Sequence, residues 1–273
     1  MNLLLDLPPG TGLERLGVQK GDLFARGGAA LRLGPLRILL DRAEAWTPPR
    51  LAPKEMKAAG IRRRLEDLAR ELGTRENPPG LGDLYRAALR DPEADPPAAI
   101  SPLAARALPH ARAFSEGLDK RDAALLRRGA GGLIGLGPGL TPSGDDFLGG
   151  WLTTLRCVEG RGFSRPELDL AAAEALASAA GKTPLISRAL LRCALEGASS
   201  ESIHHLLNAI LGGPVPAGPE ALARAVREAL RRGHSSGWDA LAGVAWGLRS
   251  LMERLRKAGE QPEIRFSANS ASP

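Results

Sequence analysis

The chain has 273 residues, 43% of them hydrophobic and 25% charged, with a net charge of +6 and a pI near 9.9. That composition excludes a fibrous or wholly disordered chain and leaves one large domain or two modest ones with ample core. The basic balance does not argue for nucleic acid. Only six of the 37 basic residues are Lys, Arg is spread along the whole chain, and aromatics amount to 4%, too few for base stacking.

The start, Met1-Asn2-Leu3-Leu4-Leu5-Asp6, lacks a basic n-region and a long apolar run, so no signal peptide is expected. No stretch of about 18 apolar residues exists, so no membrane span is expected either. Next come three short apolar runs, Asp22 to Arg26, Ala30 to Leu33 and Leu36 to Leu40, cut by Gly27-Gly28 and Gly34-Pro35. Short runs punctuated by Gly and Pro predict a small antiparallel sheet. Residues 54–72 carry Met56, Ile61, Leu65, Leu68 and Leu72 at helical spacing. Residues 74–102 are rich in Pro, Gly and Asp and read as a loose connection with one short helix near Leu84 to Leu89.

From residue 103 the pattern is helix after helix, over about 103–116, 119–129, 144–158, 166–180, 184–196, 200–211, 219–232 and 238–257. The last carries Leu241, Val244, Ala245, Leu248, Leu251, Met252 and Leu255 on one face. Thr141-Pro142 and Thr183-Pro184 read as Thr N-caps with Pro at the first helical position, and Gly218-Pro219 also puts Pro there. Gly212-Gly213 and Gly233 read as stops. The expected fold class is α+β. A β-rich N-terminal region with one or two helices and a Pro-rich connection (1–102) precedes a helical domain (103–260) and a disordered tail (261–273). Cys157 and Cys193 have neither metal spacing nor a disulfide framework and read as small packing residues in a reducing cytoplasm.

The densest chemistry lies in Gly135-Leu136-Gly137-Pro138-Gly139-Leu140-Thr141-Pro142-Ser143-Gly144-Asp145-Asp146, which runs straight into the apolar Phe147 to Leu152. Such a rigid polar loop at a helix start suits an anion or a metal-bound substrate. The segment Ser143 to Gly150 has an echo 93 residues later, Ser236 to Gly243, with Ser, Gly, Asp, Leu and Gly at the same offsets. Ordinary capping boxes are the bland explanation. The sharper one is that the two helix starts face each other across one site, with Asp146 and Asp239 close together. Gly150 and Gly243 would serve close helix packing.

Several motifs fail on context. Gly233-His234-Ser235-Ser236-Gly237 has the nucleophile-elbow spacing, but a helical pattern precedes it where a strand is required. Gly139 to Gly144 has P-loop spacing, but Asp145-Asp146 stands where Lys-Ser/Thr is needed. His204-His205 reads as surface or partly packed, and His110 as a loop or helix residue.

The segment Leu133 to Leu148, together with Thr183, Ser187 and Gly233 to Asp239, resembles the bacterial AllH-like family, which includes the AllH subunit of an oxamate carbamoyltransferase. The resemblance runs from about residue 20 to 257. It implies carbamoyl phosphate chemistry on oxalurate- or oxamate-type anions in allantoin catabolism, with partner subunits resembling acyl-CoA synthetases. The candidate catalytic residues are Asp145, Asp146, His234 and Asp239. The candidate substrate-binding residues are Gly137, Gly139, Thr141, Ser143, Gly144, Thr183, Ser187, Ser235, Ser236 and Gly237. Backbone N–H groups and hydroxyls would hold the anion, and His234 could shuttle a proton. Lys182 reads as a phosphate ligand or a solvated charge. Two adjacent carboxylates would repel an anion, so Asp145 and Asp146 suit Mg²⁺, an amide donor of the substrate, or a base. Two alternatives remain: a Mg²⁺-dependent hydrolase of the ADP-ribosylglycohydrolase type, and a non-catalytic ligand-binding or regulatory subunit.

Overall fold

The computed structural model describes residues 11–44, 46–48, 58–73, 80–89, 100–160, 162–212 and 218–260. The expected tail, 261–273, and the first residues of the expected 54–72 helix lie outside them. The chain divides into two compact units, Met1–Thr47 and Pro48–Pro273.

In the first unit, strands β1 (Phe24–Gly27), β2 (Ala30–Leu33) and β3 (Leu36–Leu39) form an antiparallel sheet in the order β1-β2-β3. Gly27 pairs with Ala30 and Leu33 with Leu36, which leaves two-residue turns at Gly28-Ala29 and Gly34-Pro35. Both turns open on a glycine with positive φ, 57° and 54°, the conformation tight hairpins need and side chains resist. Leu31 is the strand residue this sheet buries.

The second unit is helical: α1 (Ala58–Gly73), α2 (Leu84–Ala88), α3 (Pro102–Lys120), α4 (Ala123–Leu133), α5 (Ser143–Cys157), α6 (Arg165–Ala179), α7 (Leu185–Leu195), α8 (Glu201–Leu211), α9 (Pro219–Leu230) and α10 (Ser236–Glu260). Sheet and helices together make the expected α+β fold. The α3–α4 junction differs from the sequence reading, which started a helix at 119. Helix α3 runs on to Lys120 and ends at Arg121 with φ 56°. Asp122 then caps α4 by accepting from the N–H groups of Ala124 and Leu125. The Thr caps also differ. Pro142 and Pro184 themselves occupy the cap positions, and both threonine hydroxyls go elsewhere. Gly218-Pro219 and the Gly212 stop are as expected.

The core is built around α5 and α10. Phe147 and Trp151 of α5 meet Trp246 of α10 and Phe114 of α3, with ring centroids 5.1 to 6.2 Å apart in edge or tilted contacts. The two helices touch backbone to backbone. A Cβ at Gly150 would overlap the Ala240 carbonyl, and one at Gly243 would overlap the Phe147 carbonyl. Phe147 and Ala240 occupy equivalent places in the two echoes, as do the two glycines, so the contact is reciprocal. Segment 80–89 packs on the same helix. Trp246 Nε1 donates to the Leu84 carbonyl at 2.9 Å and Arg249 Nη1 to the Ala87 carbonyl at 2.8 Å. Helices α1 and α2 therefore belong to the helical unit. His204, read as a surface or partly packed residue, is 1% exposed and accepts from the Ser199 N–H, while His205 is exposed beside Glu201 and Glu228. Both cysteines are half-buried and free, and burial pushes the Cys157 thiol up to about 11.

Candidate functional site

The loop from Gly135 to Pro142 turns on three glycines with positive φ: 78° at Gly135, 106° at Gly137 and 101° at Gly139. A Cβ at Gly135 would overlap the Lys182 carbonyl. The loop therefore lies directly on the chain entering α7.

Asp145 ties these pieces together. Its Oδ1 accepts from the Gly135 N–H at 2.6 Å, and its Oδ2 accepts from the Ser187 hydroxyl at 2.6 Å and from the Thr183 hydroxyl. With Asp145 2% exposed, both oxygens are spent on the protein, and so are Thr183 and Ser187. A Mg²⁺ ion at Asp145 does not fit this arrangement, because its lone pairs already face three donors. Among the described residues no group of three or more His, Cys, Asp or Glu could hold a metal.

At the start of α5 three N–H groups are spent within the fold. The Gly144 N–H donates to the Leu136 carbonyl, and those of Asp145 and Asp146 to the Pro142 carbonyl, at 2.9 to 3.1 Å. Gly144 and Gly237 serve packing: a Cβ on either would overlap a carbonyl at the end of the preceding helix, Leu133 or Ala229. Donors remain in the loop itself, where the N–H groups of Gly137, Gly139, Leu140 and Thr141 bond to no described residue. Consecutive free amides on a glycine-rich turn form an anion-binding concavity.

The two helix starts meet as the echo suggested. The hydroxyls of Thr141 and Ser236 are 3.2 Å apart and hydrogen-bonded. Asp146 is close enough for its charge to raise the pKa of Asp239, and Asp145 does the same to Asp146. Asp239 is 0% exposed. Burial, opposed by the Leu81 N–H and the Ser143 and Ser235 hydroxyls and reinforced by Asp146, pushes its pKa up to about 7. Burial likewise raises Asp146, against the hydroxyls of Ser236 and Thr141 and the charge of Arg232. Asp239 Oδ1 accepts from the Leu81 N–H at 2.5 Å. The Oδ2 atoms of both aspartates are buried and have no hydrogen-bond partner among the described residues.

Two contributors escaped the sequence reading. Leu81 offers only a backbone N–H, held in place because the Ser101 hydroxyl donates to the Gly80 carbonyl and the Ser101 N–H to Asp83. Arg232, whose Nη1 donates to the Ser200 hydroxyl at 2.7 Å, supplies the positive charge that acts on Asp146. Its one visible signal was a basic residue two positions before His234. His234 itself is exposed. Lys182 is exposed too, and its ammonium donates to the Gly131 carbonyl at 3.2 Å. A surface hollow of about 440 Å³ on α9, lined by Arg224, Arg227, Glu228, Leu230 and Arg231, lies outside this constellation.

The chain thus has a helical unit in which two equivalent helix starts meet beside a glycine-rich loop, with Asp146 near enough to Asp239 to act on its charge. Residues 133–248 match the model of a family described as "Oxamate carbamoyltransferase subunit AllH". The chain is thus AllH-like over this segment, about two fifths of its length, which holds both helix starts and omits Leu81. No curated protein and no solved structure matches the chain. Among the described residues no helix is long and apolar enough to cross a membrane.

Proposed function

We propose that this protein is a subunit of a carbamoyltransferase acting on oxamate and oxalurate, with its ligand site between the α5 and α10 starts. The observation that carries this reading is the pair of buried, unpartnered carboxyl oxygens beside a loop with free amides. Oxamate has a carboxylate at one end and an amide at the other. The loop N–H groups of Gly137 to Thr141, with the Thr141 hydroxyl, suit the carboxylate. Asp146 and Asp239 suit the amide. This division removes the conflict between adjacent aspartates and an anionic ligand: Asp145 is committed to the fold, and the other two face the uncharged end. Partner subunits complete the enzyme in this reading. Leu140, Leu185 and Ile186 stand exposed beside Thr141 and Ser187, an apolar rim suited to docking them.

The test is a thermal-shift series with oxamate, oxalurate, carbamoyl phosphate and phosphate, followed by phosphate-dependent oxalurate cleavage with and without partner subunits. A ligand that binds only the folded state at 100 times its Kd adds about 2.7 kcal/mol of stability. Stabilisation by oxamate or oxalurate with turnover upon reconstitution supports the reading. Stabilisation without turnover in any combination makes the chain a non-catalytic binding subunit. No stabilisation by any of the four ligands overturns the proposal.

A further inference from the structure

Asp146 and Asp239 occupy the same place in the two echoes, and their Oδ2 atoms share one defect. Each is a buried acceptor with no donor among the described residues. Such an atom carries the desolvation penalty of an unmade hydrogen bond, and in folded proteins these atoms concentrate where something else completes them. Here there are two, on helices locked together by the reciprocal contacts of Gly150 and Gly243, so their spacing is set by backbone packing.

What completes them must bring two donors. A carboxylate or phosphate brings none and would set negative oxygens against carboxyl oxygens. A hydroxyl brings one. A primary amide nitrogen brings two N–H groups that diverge in one plane. We infer that Asp146 and Asp239 form a clamp that reads the amide nitrogen of the acceptor, each Oδ2 accepting one of its two N–H groups. This inference rests on the functional reading above and assigns the residues that would distinguish oxamate from the dicarboxylate oxalate. The charged neighbours are consistent with it. The charge of Asp145, bound by three neutral donors, works against that of Asp146, Arg232 works for it, and among the described residues Asp239 meets the Leu81 N–H, two hydroxyls and Asp146. Donated N–H groups would offset the burial that disfavours both charged forms.

The test is isothermal titration of the full-length protein with oxamate and with oxalate at pH 8. The clamp predicts that the wild type binds oxamate at least about tenfold more tightly, the scale of one hydrogen bond to a charged group. Asp239→Asn is the sharper probe. Its amide oxygen can keep the Leu81 N–H, which places Nδ2 where Oδ2 was and turns an acceptor into a donor. Asp146→Asn makes the same exchange on the other helix. Oxamate affinity should fall by about tenfold or more in each variant, while oxalate affinity holds or rises. Equal binding of the two ligands by the wild type, which needs no variant to fold, overturns the clamp and leaves the functional reading standing. An unchanged preference in both folded variants does the same. Failure of the wild type to bind oxamate, oxalate or oxalurate overturns both.

Discussion

The starts of α5 and α10 follow one plan with a single telling difference. In both, a glycine lets the helix rest on the end of its predecessor, an aspartate stands three residues after the serine, and a second glycine admits the partner backbone. The residue before that aspartate differs. In α5 it is Asp145, which fastens the glycine loop to α7 through Gly135, Thr183 and Ser187. In α10 it is Trp238, 6% exposed and packed against Gly82, where a Cβ would lie 3.2 Å from that of Trp238. One start is thus held by hydrogen bonds and the other by apolar packing. The difference teaches that the two glycines set how the helix starts pack, while the residue before the equivalent aspartate selects the neighbour that buttresses each start.

The largest effects should come from the apolar buttress and the crossing. Trp238→Ala should cost about 4 kcal/mol, since a buried Trp is replaced by a cavity, and should loosen the Gly80-Leu81 segment from Asp239. Urea unfolding monitored by circular dichroism reads the first effect, and amide exchange at Leu81 reads the second. A loss below about 1 kcal/mol would show that segment 80–82 is held from elsewhere. Gly243→Ala should cost about 3 kcal/mol, because its Cβ would meet the Phe147 carbonyl, a backbone atom with little freedom to withdraw. Gly139→Ala is the contrast. Nothing stands within 4 Å of its Cβ, so its cost is limited to strain at φ 101°.

These comparisons also show what the sequence made legible. Strands, helices and the paired starts came through because each leaves a periodic or repeated trace: Gly-cut apolar runs, 3.6-residue spacing, and an S-G-x-D-x-L-x-G echo. The roles of the two adjacent aspartates did not. Side-chain spacing on a helix start cannot reveal that Thr183 and Ser187, some 40 residues later, would turn toward Asp145 and not Asp146. Leu81 was invisible for a different reason. It contributes a backbone N–H, which every residue but proline has, from a stretch whose Pro, Gly and Asp content resembles a linker. The same blindness affected the N-caps, where local Thr-Pro chemistry predicted caps but tertiary partners claimed the hydroxyls of Thr141 and Thr183.

Asp239 sharpens the comparison through pH. Its pKa is about 7 in the folded state against an ordinary 3.8, so between those values the folded state holds a proton that the unfolded state releases. Stability is therefore highest below about pH 4, declines as pH rises, and levels off above about pH 7 as far as this group is concerned. Asp239→Asn should abolish the decline and stabilise the protein above pH 7. The shift alone sets an upper bound on the order of 4 kcal/mol. Because the new amide leaves an unmet donor in place of an unmet acceptor, the expected gain is on the order of 2 kcal/mol. Chemical denaturation at pH 5 and pH 8 measures it, and a variant with the wild-type pH slope would exonerate this carboxyl.

Asp145→Asn should give the smallest change, a loss of about 1 to 2 kcal/mol, because one amide oxygen replaces a carboxylate that three donors share. The informative quantity is its coupling to Ser187→Ala. If the knot is the polar counterpart of Trp238, the double variant should lose less than the two single losses combined, with a coupling of about 1 kcal/mol, as contacting residues in one network do. Trp238→Ala should combine additively with Ser187→Ala, since Trp238 buttresses segment 80–82 and Ser187 the α7 start. Additivity in both pairs would mean that the glycine conformations alone hold the loop. Oxamate binding would then tolerate Asp145→Asn while still failing in Asp146→Asn, and that separation assigns one of the adjacent aspartates to the scaffold and the other to the ligand.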